Sequence, residues 1–146
     1  MKLLMVCLGN ICRSPLAEGI MQHLVKKHNL NWTIDSAGTG GWHVGSAPDR
    51  RSVSTAYGRG IDISGQCCRQ FSVNDFDDLD LILTMDRQNL RDILAKARNV
   101  NDRSKVRLLL ENAEVPDPYY DDDGFEHVYD LVENGCKKII AEFAKY

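Results

Sequence analysis

Residues 2 to 28 pass from a short apolar run through a glycine-bearing loop into an amphipathic segment, and this succession narrows the possible folds more than any other feature of the chain. Lys2 to Leu8 (KLLMVCL) is short, apolar and followed at once by Gly9, a pattern that predicts a buried strand rather than a helix. The loop Gly9 to Arg13 follows. Ser14 is expected to cap a helix and Pro15 to occupy its first helical position. Leu16, Ile20 and Leu24, with Ala17, Met21 and Val25 beside them, give that helix an apolar stripe to about His28.

The rest of the chain repeats the alternation. Trp32 to Ser36 (WTIDS) predicts a second strand, Ala37 to Gly45 a glycine-rich loop, and Asp49 to Tyr57 a helix. Leu79 to Met85 (LDLILTM) predicts the third strand, and Asp86 the cap of a helix running to about Arg98. Val106 to Leu110 predicts a fourth strand, followed by a polar loop that carries PDPYYDDDG. Phe125, Val128, Val132, Cys136, Ile139 and Phe143 then fall on one face of a closing helix. Strands alternating with helices imply parallel βαβ units. The fold expected is therefore α/β, an open parallel sheet of about four strands with helices on both faces. With 146 residues and no linker or repeat, residues 1–146 are expected to form one domain, burying roughly 70% of the unfolded surface. Ligands of such sheets bind beyond the carboxyl ends of the strands, so the loop after the first strand is the first candidate site.

Charge and cysteine usage exclude several classes. A net charge of −3 argues against a general nucleic-acid binder, because a phosphate backbone needs a positive surface. No run approaches the roughly 18 apolar residues of a membrane span, and no secretory signal pattern is visible. The five cysteines are odd in number and lack small-scaffold spacing, which predicts free thiols and a cytoplasmic location. No Cys/His pairs with zinc spacing occur, so neither a metal nor another cofactor is expected.

Within the first loop, Cys7-Leu8-Gly9-Asn10-Ile11-Cys12-Arg13-Ser14 sets a cysteine and an arginine six positions apart between strand and helix. Backbone N–H groups at such a junction, together with the positive helix end, form an anion cradle. That field favours thiolate over thiol. Arg13 can grip two phosphate oxygens at once, whereas a lysine cannot. Gly9 and Asn10 are residue types that accept the left-handed backbone a tight cradle needs. Ser14 can donate its hydroxyl to the sulfur. Gly-Lys-Ser/Thr is missing, so this is not an ATP-type phosphate loop.

VCLGNICRSP (Val6 to Pro15) resembles the signature of the low-molecular-weight protein tyrosine phosphatases. DSAGTGGWHVG (Asp35 to Gly45), FDDLDLILTMDRQNLRDI (Phe76 to Ile93) and DPYY (Asp117 to Tyr120) resemble further segments of that family, in the expected order and across essentially the whole chain. The resemblance implies a flavodoxin-like sheet and cysteine-dependent, metal-independent hydrolysis of phosphotyrosine and small aryl phosphates through a phosphocysteine. It implies that Cys7 is the nucleophile, that Arg13 binds phosphate and stabilises the transition state, and that Asn10, Ser14 and Ser36 shape the loop. It further implies that Trp42, Tyr119 and Tyr120 wall the substrate cleft. Cys12, in the family, can form a disulfide with the nucleophile and so makes a reversible redox switch.

A thiolate that attacks phosphorus expels an alkoxide or phenoxide, which an acid must protonate. Asp117, between Pro116 and Pro118, is the candidate, and the resemblance puts the acid there; Asp121, Asp122 and Asp123 are expected to be a solvated acidic face. Cys67 and Cys68 are expected to be incidental and Cys136 to be core. His23, His28, His43 and His127 are expected to be surface or flanking residues. Gln66 stands where the family usually has a histidine bonded to the loop network. An amide there can bond but cannot carry charge.

The expected partner is a phosphotyrosine-containing protein, acted on by a monomer or weak dimer, with phosphate or sulfate able to occupy the loop. The alternatives are an arsenate reductase or a protein-arginine phosphatase on the same fold, or a non-catalytic phosphate-binding or redox-sensing module. The adjacent Cys67 and Cys68 do not resemble an arsenate reductase's cysteine relay. Ile11 stands where arginine phosphatases typically carry threonine, and its apolar side chain favours a phenyl ring.

Overall fold

The computed structural model describes residues 1–144. Its strands are β1 (Lys2–Cys7), β2 (Thr33–Gly38), β3 (Leu81–Thr84) and β4 (Val106–Leu108). Its helices are α1 (Arg13–Lys27), α2 (Arg50–Gly58), α3 (Asp75–Asp78), α4 (Arg87–Leu94), α5 (Val100–Ser104) and α6 (Phe125–Phe143). The four strands form one sheet in the order β2-β1-β3-β4, and every pairing is parallel. The chain leaves β1 toward one edge and returns to the other side of it at β3. The reversal puts the loop after β1 at the topological switch point, where open sheets bind ligands.

Side-chain alternation along β1 builds two cores. Leu3, Met5 and Cys7 face α1 and α6, where Leu16, Ile20, Val128, Val132 and Cys136 meet them. Leu4 and Val6 face the opposite way, onto Phe76, Ile82 and Ile93. A central parallel strand covered on both sides must be apolar at successive positions, which is why KLLMVC lacks polar alternation. Leu3, Leu4, Met5 and Val6 are all fully buried, each worth about 1.5–3 kcal/mol of transfer free energy.

Several elements differ from expectation. Helix α1 starts at Arg13 with Cys12 at the cap position and no side-chain cap bond, so Ser14 lies inside the first turn. Its hydroxyl is drawn to the loop instead. Pro15 is consequently the third helical residue, where its missing N–H is still one the helix leaves unpaired. Strand β2 extends past Ser36 because Ala37 and Gly38 pair with Val6 and Cys7. The helix expected to reach Arg98 stops at Leu94. A short α5 follows, capped by Asn99, whose side chain accepts the Asp102 N–H at 2.8 Å. Asp102 in turn accepts the Arg98 N–H at 2.9 Å, and such local side-chain bonds compete with helix continuation. Helix α3 was not foreseen. In α6 the apolar face ends before Phe143, which is 36% exposed with the Arg107 guanidinium 5.2 Å from its ring centre. Among the described residues no helix is long and apolar enough to cross a membrane.

Candidate active site

The loop after β1 is shaped by backbone from three directions. Thr39 N–H donates to the Cys7 carbonyl and Gly40 N–H to the Leu8 carbonyl, both at 2.9 Å, so the end of β2 carries strand pairing on into the loop. A Cβ on Gly38 would lie 2.8 Å from the Leu8 carbonyl oxygen and 3.1 Å from the Asn10 nitrogen. Only a residue without a side chain lets the loop sit there. On the far side Asp49 N–H donates to the Ile11 carbonyl at 2.8 Å. Asn10 takes the left-handed conformation at φ 58°, as its residue type suggested. Gly9 does not. A Cβ on Gly9 would instead press on His43 Cδ2 at 3.1 Å.

A chain of side-chain bonds starts at the sulfur. Cys7 Sγ lies 3.0 Å from Ser14 Oγ, which accepts from Asn10 Nδ2 at 2.8 Å. The hydroxyl hydrogen of Ser14 is thereby free to point at Sγ. Asn10 Nδ2 also donates to Ser36 Oγ at 2.9 Å, and Ser36 Oγ donates to Glu18 Oε1 at 2.6 Å. Burial holds the Glu18 carboxyl above its ordinary range against the bonds from Ser36 and Gln22, with Asp35 adding to the rise.

Arg13 is 2% exposed, and its Nη1 donates to Asp86 Oδ2 at 2.6 Å and to the Val115 carbonyl at 3.0 Å. Burial works against its charge, yet Cys7, Asp86 and Asp117 outweigh that and raise its pKa. Asp86 serves twice, because its other oxygen caps α4 through Asn89 N–H at 2.7 Å. Asp117 Oδ2 lies 3.7 Å from Arg13 Nη2, and its Oδ1 accepts the Tyr119 N–H at 3.1 Å. The Asp117 side chain is 41% exposed.

Cys7, Gly9, Ile11, Cys12, Arg13 and Asp117 open on one cavity of about 210 Å³, which Leu8, Trp42, His43, Tyr119 and Tyr120 complete. That volume is below the roughly 300–1,000 Å³ of drug-sized sites and suits one phosphoryl group with one ring. Tyr119 and Tyr120 meet edge to face at 4.9 Å, while Trp42 and Tyr120 are 72% and 95% exposed. Burial, with Asp49, Cys7 and Asp117 adding to it, pushes the Cys12 thiol up to about 12. It is therefore a neutral neighbour in an anion site. Among the described residues no cluster of three His, Cys, Asp or Glu is placed to hold a metal.

Residues 2–146 match the family described as low molecular weight phosphotyrosine protein phosphatase. The chain belongs to that family. A Synechocystis relative that bears a low-molecular-weight protein-tyrosine-phosphatase name is 46% identical over 154 residues, covering 99% of this chain and 98% of the relative. The solved protein tyrosine phosphatase of Entamoeba histolytica, with Hepes in its active site, superposes at a TM-score of 0.93. It is 35% identical, over 99% of this chain and 97% of that one. A Drosophila arginine phosphatase superposes at 0.92 with 34% identity, over 99% of each chain.

The structure of this family member gathers Cys7, Arg13 and Asp117 at one cavity with Leu8, Gly9, Ile11, Cys12 and the three wall residues named from the sequence. Asn10 and Ser14 do not line it; they stand behind the loop, bonded to each other, with Ser14 against Cys7 and Asn10 on Ser36. Four contributors, Cys68, Arg69, His43 and Glu18, were missed or misread. Cys68 is not incidental in position: it is buried, its Sγ donates to the Asn10 carbonyl at 2.8 Å, and burial pushes its thiol up to about 11. The next residue, Arg69, donates its N–H to Asn10 Oδ1 at 3.0 Å, so this pair grips Asn10 by main chain and side chain. His43 lines the cavity rather than flanking it. Glu18 ends the bond chain from Cys7. Gln66 donates to the Pro15 carbonyl at 3.0 Å, on the first turn of α1.

Proposed function

We propose that the chain is a protein tyrosine phosphatase that hydrolyses phosphotyrosine in protein substrates, and small aryl phosphates, through a phosphocysteine on Cys7. The observation that carries this reading is the meeting of Cys7, the buried Arg13 guanidinium and Asp117 at one cavity beyond the end of β1. The non-bridging phosphoryl oxygens rest on loop N–H groups and on Arg13, which neutralise the charge spread over them in a loose transition state. Cys7 Sγ attacks phosphorus in line; the S–P bond forms as the P–O bond to tyrosine breaks. Asp117 gives its proton to the departing phenolate oxygen. A water, deprotonated by Asp117, then attacks the phosphocysteine, and the S–P bond breaks to release phosphate. Ser14 O–H steadies the sulfur each time it carries charge. The guanidinium supplies the positive charge, so the chemistry calls for no metal.

Ile11, Trp42, Tyr119 and Tyr120 around the mouth support an aromatic ester over an arginine phosphate. Oxidation control belongs to the same proposal. A peroxide oxidises the Cys7 thiolate to a sulfenic acid, Cys12 displaces water from it to form a disulfide, and a cellular thiol reduces that back to both cysteines. The reading includes a cytoplasmic setting, supported by the odd set of five cysteines without small-scaffold spacing. It takes a monomer, or a weak dimer through exposed Tyr120, as the working state.

The test is phosphate release by the purified chain from a phosphotyrosine peptide and from phosphoarginine. Turnover of the first, faster than the second and abolished by Cys7→Ser, is expected. Undiminished turnover in the Cys7→Ser protein removes Cys7 from the mechanism, and a preference for phosphoarginine moves the chain to the other substrate class.

A further inference from the structure

Arg51, in the first turn of α2, lies outside the phosphate loop and outside the cavity lining, yet it joins two segments that the proposed reaction needs in register. Toward the loop, its Nε and Nη2 reach Asp49 Oδ1 and Oδ2 at 3.0 and 2.9 Å, a two-pronged pair. The backbone N–H of that same Asp49 holds the Ile11 carbonyl at 2.8 Å. Toward the acid, Arg51 Nη1 reaches Asp122 Oδ1 at 2.6 Å, across 71 positions of sequence. Its guanidinium carbon also stands 5.5 Å from the Tyr119 ring centre and 4.6 Å from that of Phe125.

Val115, at the start of this segment, is held by Arg13 and by the Met85 carbonyl, but beyond it the segment has few ties to the phosphate loop. Between Pro116 and Phe125 the backbone bonds Asp121 N–H to Pro118 carbonyl and Gly124 N–H to Asp121 carbonyl close the segment on itself. Neither ties it to the phosphate loop. Asp117 itself touches that loop through Arg13 at 3.7 Å, beyond hydrogen-bond length. A planar guanidinium bonded on two edges and stacked on a ring fixes position in a way a lysine's point charge cannot.

We propose that Arg51 is a positioning residue for the general acid: by clamping Asp122 and Tyr119 to the Asp49–Ile11 side, it sets where Asp117 stands relative to the leaving oxygen. The inference rests on the phosphatase reading above. It acts only on the step in which the acid matters. Its loss therefore steepens the dependence of rate on leaving group, while a merely structural role lowers all substrates alike.

The experiment measures kcat/KM for aryl phosphates whose phenols span acidic to weakly acidic, in wild type, Arg51→Met, Asp122→Asn and Asp117→Asn. Wild type is expected to vary little with leaving group, and Asp117→Asn to fall steeply toward the poor ones. Arg51→Met should fall between them, with about a tenfold loss on phenyl phosphate and little on p-nitrophenyl phosphate, a fraction of the 10²–10⁴ an acid supplies. Asp122→Asn changes an exposed carboxylate without touching the core, and should move the same way by less. A wild-type slope in both variants, or an equal loss on every substrate, overturns the role of Arg51. If Asp117→Asn keeps the wild-type slope, the acid assignment itself fails, and the role of Arg51 falls with it. An inactive wild type sinks the phosphatase reading as a whole.

Discussion

The phosphate loop and the acid segment face each other across one cavity but are held in opposite ways. Asn10, Arg13 and Ser14 are buried, and the loop's bonds arrive from β2, α1, Asp49, Cys68 and Arg69. Asp117 to Gly124 is largely exposed, turns on itself, and is tied back through Asp122 and Tyr119 to a half-exposed Arg51. The contrast fits the roles proposed for the two parts. A cradle for a dianion must be pre-formed, because donors that reorganise during reaction waste their electrostatic effect. An acid that must meet a bulky protein-borne leaving group, and later a water, works on a segment that substrate can approach.

Breaking the rigid side should show in stability as well as rate. Asn10→Ala removes bonds to Ser14, Ser36 and the Arg69 N–H at once and leaves a side chain poorly suited to φ 58°. A loss of about 2–4 kcal/mol is expected from a small set of buried bonds plus backbone strain, measured by urea unfolding, with turnover down at least tenfold. Full stability would show the loop to be held by its backbone alone. A smaller effect is expected from Cys12→Ser, which should leave turnover within about threefold but slow thiol-driven recovery after peroxide, since the proposed rescuing disulfide could not form. Equal recovery in both proteins discards the switch. Smallest is the titration of Glu18, whose carboxyl is raised above its ordinary value by burial. The folded state then holds that proton more tightly than the unfolded state, so stability is lost as pH rises from the ordinary carboxylate value through the raised one. Melting temperature against pH should show this decline in wild type and not in Glu18→Gln; parallel curves would mean Glu18 titrates as in the unfolded chain.

What could be read from the sequence depended on how far apart the cooperating residues lie. The strand-to-helix loop is contiguous, so Cys7, Arg13 and their neighbours announce themselves, and apolar periodicity gives the order of strands and helices. Asp117 needed the resemblance, since an aspartate between two prolines is otherwise read as a turn. Arg51 and Cys68 were not legible, because their partners lie 71 and 58 positions away. Ser14 was read as a cap, although its bond to the sulfur was expected, because the local pattern cannot show that Asn10 also holds its hydroxyl or that the helix already begins at Arg13. The break after α4 carried a signal in Asn99, a good capping residue, which the apolar spacing to Arg98 outweighed.

The long reach of Arg13 has one further consequence. Its guanidinium is seated by Asp86 and by the Val115 carbonyl, 73 and 102 positions downstream. On a ribosome Cys7 and Arg13 are therefore made well before the groups that orient the guanidinium, which follow 73 and 102 positions later. The order of synthesis thus leaves the candidate site unassembled until Val115 has been made and joined the fold.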